Sequence, residues 1–201
     1  MKEATQEIAL PTIDAQRPSL QELVKRAEAL QPLLRQHAVE AERNRRAADE
    51  SIQAISEAGL FRLMVPKRFG GHEGTLRSHL EVSAALAEAC GGTAWVVALT
   101  NVCAWFTSLF CERAQQEVFG ANPDARVAGV FSASPHSRRV EGGLVVSGKW
   151  YFSSGSLHAD WAVLGVQERD ANGAQVAQYL ALIPKEQFRI EDTWFTTGMR
   201  A

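Results

Sequence analysis

Near residue 122 the apolar pattern of this chain changes period. Before that point apolar residues recur every three or four positions, the spacing of one helix face. After it, alternation, paired glycines and β-branched residues take over. Helices followed by strands imply an α+β fold: an N-terminal α-helical bundle, then an antiparallel β-barrel or sandwich domain. We expect a flexible arm over 1–18, a helical domain over 19–122 and a β domain over 123–201. The 201 residues suffice for a sizeable core, and 46% hydrophobic with 22% charged residues excludes a disordered or collagen-like chain. A formal charge of −2 argues against nucleic acid as a partner, because that affinity rests on cationic side chains meeting phosphates.

Ser19 and Glu22 make a capping box, and Leu20, Leu23, Val24, Ala27, Leu30 and Leu34 form one apolar stripe of a first helix. Pro32 kinks that helix or marks a restart, and the charged run 40–46 reads as its solvated end. A second helix covers 48–58, with Ile52, Ile55 and Ala58 inward and Gly59 as its left-handed stop. Thr75 caps a third helix reaching about residue 90, Thr93 a fourth reaching about residue 110, and a short fifth precedes Gly120. From residue 89 to residue 111 no side chain is charged, a stretch long enough to cross a bilayer. Gly91-Gly92, Thr100-Asn101 and Thr107-Ser108 break its hydrophobicity, so it reads as a buried helix of a bundle, with no membrane involved. The amino terminus has acids and two prolines where a signal peptide needs an apolar core, and Cys90, Cys103 and Cys111 form no CxxC pair. Both observations point to the cytoplasm.

Strands are expected at 126–134, 144–154, 160–168, 175–183 and 188–193, with turns at 141–143 and 170–173. Alternation along 144–154 places Trp150, Phe152 and Ser154 on one face, beside Gly155. Two rings, a hydroxyl and a glycine that admits close backbone approach suit a flat, partly polar ligand; they equally suit an aromatic core strand ending in a turn. Phe131 and Ser132, with Ser134, repeat the theme on 126–134, as edge exposure or as groups for a bound ring. No nucleophile elbow, phosphate loop, HExxH or EF-hand spacing is present, and no two of His37, His72, His79, His136 and His158 are four residues apart, so no metal site is expected.

Two separated segments resemble one family. Glu42-Arg43, the stretch 52–61 (IQAISEAGLF), Val65-Pro66 and Phe69-Gly70-Gly71 resemble the amino-terminal signature of the acyl-CoA dehydrogenase superfamily. Gly148 through Phe152, Ser154 and His158-Ala-Asp-Trp161 resemble its flavin-binding middle domain. The form is that of the oxygenase components of two-component aromatic hydroxylases, which take reduced flavin from a separate reductase. On this resemblance Ser154 holds the catalytic place, its hydroxyl bonding flavin N5. Phe152 packs on the flavin ring, Phe131 and Ser132 meet its pyrimidine edge, and Gly155 completes the cofactor contacts. Trp95, Cys103 and Arg200 fall in the substrate pocket, Cys103 standing where these hydroxylases carry a histidine.

The resemblance implies reduced FMN or FAD as cofactor, a flavin reductase and a small aromatic substrate as partners, a homotetramer, and hydroxylation of that aromatic by O2. Residues 132–139 (SASPHSRR) replace the acidic stretch of the dehydrogenases, which favours the hydroxylase branch. An FAD-dependent acyl-CoA dehydrogenase, or an inactive truncated fragment of either, is the alternative. The family continues beyond the equivalent of Ala201 into a carboxy-terminal helical domain, so that domain is expected to be absent here.

Overall fold

In the computed structural model the described residues are 18–170 and 172–200, without the side chains of 133–136. The arm expected over 1–18, Pro18 apart, lies outside them, as do the side chains of Ser134 and His136. Five helices come first: α1 (Leu20–Asn44), α2 (Asp49–Glu57), α3 (Leu76–Ala87), α4 (Gly91–Thr107) and α5 (Glu112–Phe119). Four strands follow: β1 (Val127–Val140), β2 (Gly143–Ser147), β3 (Trp161–Arg169) and β4 (Gln175–Pro184).

The first helix starts where its cap requires, the Ser19 hydroxyl accepting from the Glu22 N–H at 3.1 Å. It then runs unbroken through Pro32. Pro32 and Glu28 are both exposed, so the carbonyl that loses its N–H partner turns to water at small cost. Leu23, Ala27 and Leu34 of α1 are buried against Ile52 and Ile55 of α2, Leu60, Phe61 and Leu63 of the following loop, Val82 and Leu86 of α3, and Val96 and Val97 of α4. Gly59 takes φ 73° after α2, the left-handed conformation expected there. Thr75 caps α3 through the Ser78 N–H. Thr93, expected as the cap of α4, lies inside its first turn; Cys90 is the N-cap, and the Thr93 hydroxyl bonds its sulfur at 3.3 Å.

A second cluster joins the two halves: Val65, Cys103, Ala104, Val118 and Phe119 from the helical side pack with Val127 and Val163 of the sheet. Burial on one side explains only half of the uncharged stretch. α4 buries Ala94, Val97, Thr100, Cys103 and Ala104, yet leaves Trp95 and Trp105 exposed on its other face. The expected buried helix of a bundle is therefore buried along one face and open at Trp95 and Trp105.

The strands form one sheet in the order β2-β1-β3-β4. The α+β order holds, but the sheet is not purely antiparallel. β1 pairs antiparallel with β2 through a tight turn, whereas β1 and β3 are parallel. The chain leaves β2 at the sheet edge and crosses over residues 148–160 to the far side of β1, the length a parallel connection needs. Two expected strands are shorter or absent. β2 stops at Ser147, opposite His136; one residue earlier on β1 is Pro135, which has no N–H to extend the ladder. Residues 188–193 form no strand, because β4 ends at Pro184 and a short 3₁₀ turn follows.

Two histidines are buried. His79 and His158 are 6% and 8% exposed, and each has one ring nitrogen without a partner. Burial lowers the pKa of both; for His158 nearby Arg46 adds to this and Asp49 opposes it. An unfolded histidine takes up its proton near pH 6.5, the folded ones only at lower pH, so below about 6.5 the unfolded chain binds more protons and stability falls. His79→Leu is expected to flatten this loss between pH 7 and pH 5 in denaturant titrations. An unchanged pH slope would exclude His79 as a source of it.

Candidate active site

Helix α4 and the sheet present a shared aromatic face. At the amino-terminal end of α4 the Trp95 indole N–H donates to the Ser154 hydroxyl oxygen at 3.2 Å. Gly155 makes this approach possible: it sits at φ 78°, and a Cβ there would stand 3.3 Å from Val96 and 3.4 Å from Thr100. Two residues earlier in the same turn from Ser154, Phe152 adopts φ 63°, with its carbonyl accepting from the Ser154 N–H at 2.9 Å. A phenylalanine in the left-handed region with 79% of its surface exposed is held against both its backbone preference and the hydrophobic effect.

At the other end of α4, Phe106 packs on Phe131 with centroids 4.4 Å apart, and Trp105 meets Phe106 edge-on at 5.0 Å. Trp95 and Phe106 are eleven residues apart, about 16 Å of helix. Phe131 and Ser132 owe their exposure to a bulge. Val130 pairs with Leu164 and Ser134 with Val166, so β1 spends four residues where β3 spends two. Gly165 lies beneath: a Cβ there would stand 2.3 Å from the Phe131 carbonyl oxygen.

The structure thus brings Trp95 to Ser154 and Gly155, and sets Phe131 and Ser132 on the same helix-to-sheet seam. It does not preserve the expected alternation over 150–154. Trp150 turns back onto the sheet, its indole N–H donating to the Gly165 carbonyl at 2.8 Å, while Phe152 points to solvent. Phe106 joins the site without a motif to mark it, its place on an uncharged helix being the available signal.

Cys103, expected at the substrate pocket, does not reach the exposed face of α4. It is 4% exposed, inside the core joining α4 to β1, and a Cβ on Gly129 would stand 2.6 Å from its sulfur. Burial pushes its thiol up to about 12, so it carries no thiolate at neutral pH. Cys103→His is expected to cost about 2–4 kcal/mol in denaturant unfolding, from overpacking and a buried imidazole, without adding a group to the exposed face. A variant as stable as the parent would show that the seam can open. Arg200 is half-buried near the chain end and its Nε has no partner. A cavity of about 170 Å³ lies elsewhere, among Leu20, Leu23, His72, Thr75 and Ser78. Among the described residues no three His, Cys, Asp or Glu side chains are placed to hold a metal, and no helix is long and apolar enough to cross a membrane.

Known proteins share this arrangement of chain. The oxygenase subunit HsaA of a flavin-dependent monooxygenase from Rhodococcus jostii RHA1 is 37% identical over 178 residues, 88% of this chain and 46% of that protein. The oxygenase component of p-hydroxyphenylacetate 3-hydroxylase from Acinetobacter baumannii is 30% identical over 98% of this chain and 47% of its own length. Among solved structures, XiaF from Streptomyces sp., in complex with FADH2 and glycerol, is similar with a TM-score of 0.86 and 37% identity, over 90% of this chain and 46% of that one. The chain therefore spans about half the length of these relatives. Residues 19–120, which include all five helices, match the acyl-CoA dehydrogenase N-terminal domain, and with that match the chain belongs to the acyl-CoA dehydrogenase family.

Proposed function

We propose that this chain forms the flavin-holding part of an oxygenase that uses reduced FMN or FAD and O2 to hydroxylate an aromatic substrate. The observation that carries the reading is the exposed seam between α4 and the sheet, where Phe152 and Phe131 offer rings and Ser154 a hydroxyl. Similarity to HsaA and to p-hydroxyphenylacetate 3-hydroxylase supports the reaction class. The residues fit a flavin ring. Phe152 is kept in a strained backbone conformation with its ring open to solvent, a cost that a planar partner offsets.

Bound there, reduced flavin supplies the electrons that activate O2. The protein's part is to hold and orient. Phe152 and Phe131 pack on the ring, and Ser132 on the bulge faces its polar edge. Because Ser154 already accepts from Trp95, its own proton is free to bond a ring atom while the indole fixes the hydroxyl in place. Gly155 keeps backbone close without a side chain. The apolar face of α4, from Trp95 to Trp105, keeps water from the reacting centre. Trp95 and Arg200 belong to the substrate side in this reading. It also carries a separate flavin reductase, a homotetrameric assembly and a cytoplasmic setting, with the helical domain over 19–122 and the flavin-binding domain over 123–201.

The test is anaerobic titration of the full-length protein with reduced FMN and FAD, then turnover with O2, a flavin reductase and simple phenols. Selective binding of reduced flavin with a hydroxylated product is expected. A protein that retains oxidised FAD and is bleached by an acyl-CoA would instead be a dehydrogenase.

A further inference from the structure

Phe152 has a second ring set against it. Trp194 meets it at 5.9 Å with the planes at 86°, so the two form a right-angled corner that offers a face on one side and a ring edge on the other. Both walls are open to solvent, Phe152 at 79% and Trp194 at 42%.

The second wall is held from the helical half. Arg45 lies at the left-handed C-cap of α1, φ 57°, in the charged run whose simplest reading was a solvated end. Glu40, Glu42, Arg43 and Asn44 of that run are indeed exposed, and the structure departs from the reading at Arg45. Arg45 donates from both terminal nitrogens to the Asp192 carboxylate, and from Nη1 to the Trp194 carbonyl at 3.0 Å. Its guanidinium carbon lies 3.7 Å from the centroid of the Phe195 ring. One side chain thus grips the residue two before Trp194, Trp194 itself and the residue after it. Trp194 donates its indole N–H to the Met199 carbonyl at 3.1 Å, which fixes the rotation of the ring. On the near side of the same segment, Lys149 pairs with Glu191. A planar fork that bonds a carboxylate and a carbonyl while its face lies on a ring is a task for arginine rather than lysine. An isolated surface ion pair would carry little of this weight. Here the arginine side chain is only 17% exposed and serves three neighbours at once.

We propose that Arg45 is a positioning residue, which sets Trp194 as the second wall of a corner that receives a planar aromatic ring. The proposal rests on the flavin-holding reading of the site and adds to it a residue pair outside the expected set. The ring is that of the flavin or of the aromatic substrate, and two measurements separate them.

Reduced FMN and FAD are titrated anaerobically into full-length wild type, Arg45→Gln, Trp194→Leu and the double variant, and the KM for a phenol is measured on flavin-saturated enzyme. If the corner takes the flavin, Arg45→Gln raises the dissociation constant of reduced flavin about tenfold. If it takes the substrate, flavin binding is unchanged and KM rises by that factor. In either case Arg45→Gln has no further effect once Trp194 is leucine, because the interaction runs through that ring. An equal loss in both backgrounds would mark Arg45 as a general structural residue and overturn the proposal. So would wild-type binding and KM retained in Arg45→Gln, and that result leaves the flavin reading intact. A wild-type protein that binds no reduced flavin overturns both.

Discussion

Gly165→Ala is expected to destabilise this protein by about 2–4 kcal/mol, the range of a severe overpacking. The added methyl would stand 2.3 Å from the Phe131 carbonyl oxygen and 2.8 Å from its carbonyl carbon. Both are backbone atoms, so no rotamer change relieves the clash. The bulge of β1 must lift, or β3 must shift and lose the bond from the Trp150 indole to the Gly165 carbonyl. Either movement displaces Phe131 and Ser132, so reduced-flavin binding is expected to fall together with stability. For a chain of this size the melting temperature should drop by about 10 °C. A melting temperature within two or three degrees of the parent would show that the bulge is not pinned from below.

Phe152→Gly separates binding from stability. Glycine relieves a left-handed backbone cost of about 1–2 kcal/mol. Against this stand about 0.5–1 kcal/mol for the extra freedom of an unfolded glycine and about 0.5–1.5 kcal/mol for the lost ring contact with Trp194. Because the ring is 79% exposed, little buried area is lost. The terms nearly cancel, and the unfolding free energy should stay within about 1 kcal/mol of the parent. Reduced-flavin affinity is expected to fall more than tenfold, since the variant removes an aromatic wall outright. Unchanged affinity would show that this ring does not touch the flavin. A large loss of stability would mean instead that Phe152 is a packing residue.

Much of the helical half is legible from local rules. The Ser19 and Thr75 caps, the left-handed Gly59 and the apolar stripe of α1 all depend on residues within a few positions of one another. The site residues were found by resemblance more than by pattern. Alternation placed Trp150 and Phe152 on one face, and the structure separates them, because a left-handed residue at 152 and the exhausted ladder beyond Ser147 are not visible in polarity. Cys103 and Arg45 show the same limit in opposite senses. A cysteine among site residues proves to be sealed in the core, and an arginine in a surface-like charge run proves to grip the segment carrying Trp194.

By itself the sequence determined the order of helices before strands, the starts of α1 and α3, the stop of α2 at Gly59, and an uncharged stretch that had to avoid water on at least one face. Those are consequences of periodicity and of side chains acting on their own backbone. Only the tertiary structure decided that β1 and β3 run parallel, that a bulge lifts Phe131 over Gly165, and which side of α4 is left open. Strand partners, bulges and faces are set by contacts between residues far apart in the chain, and their energies exist only once those residues meet.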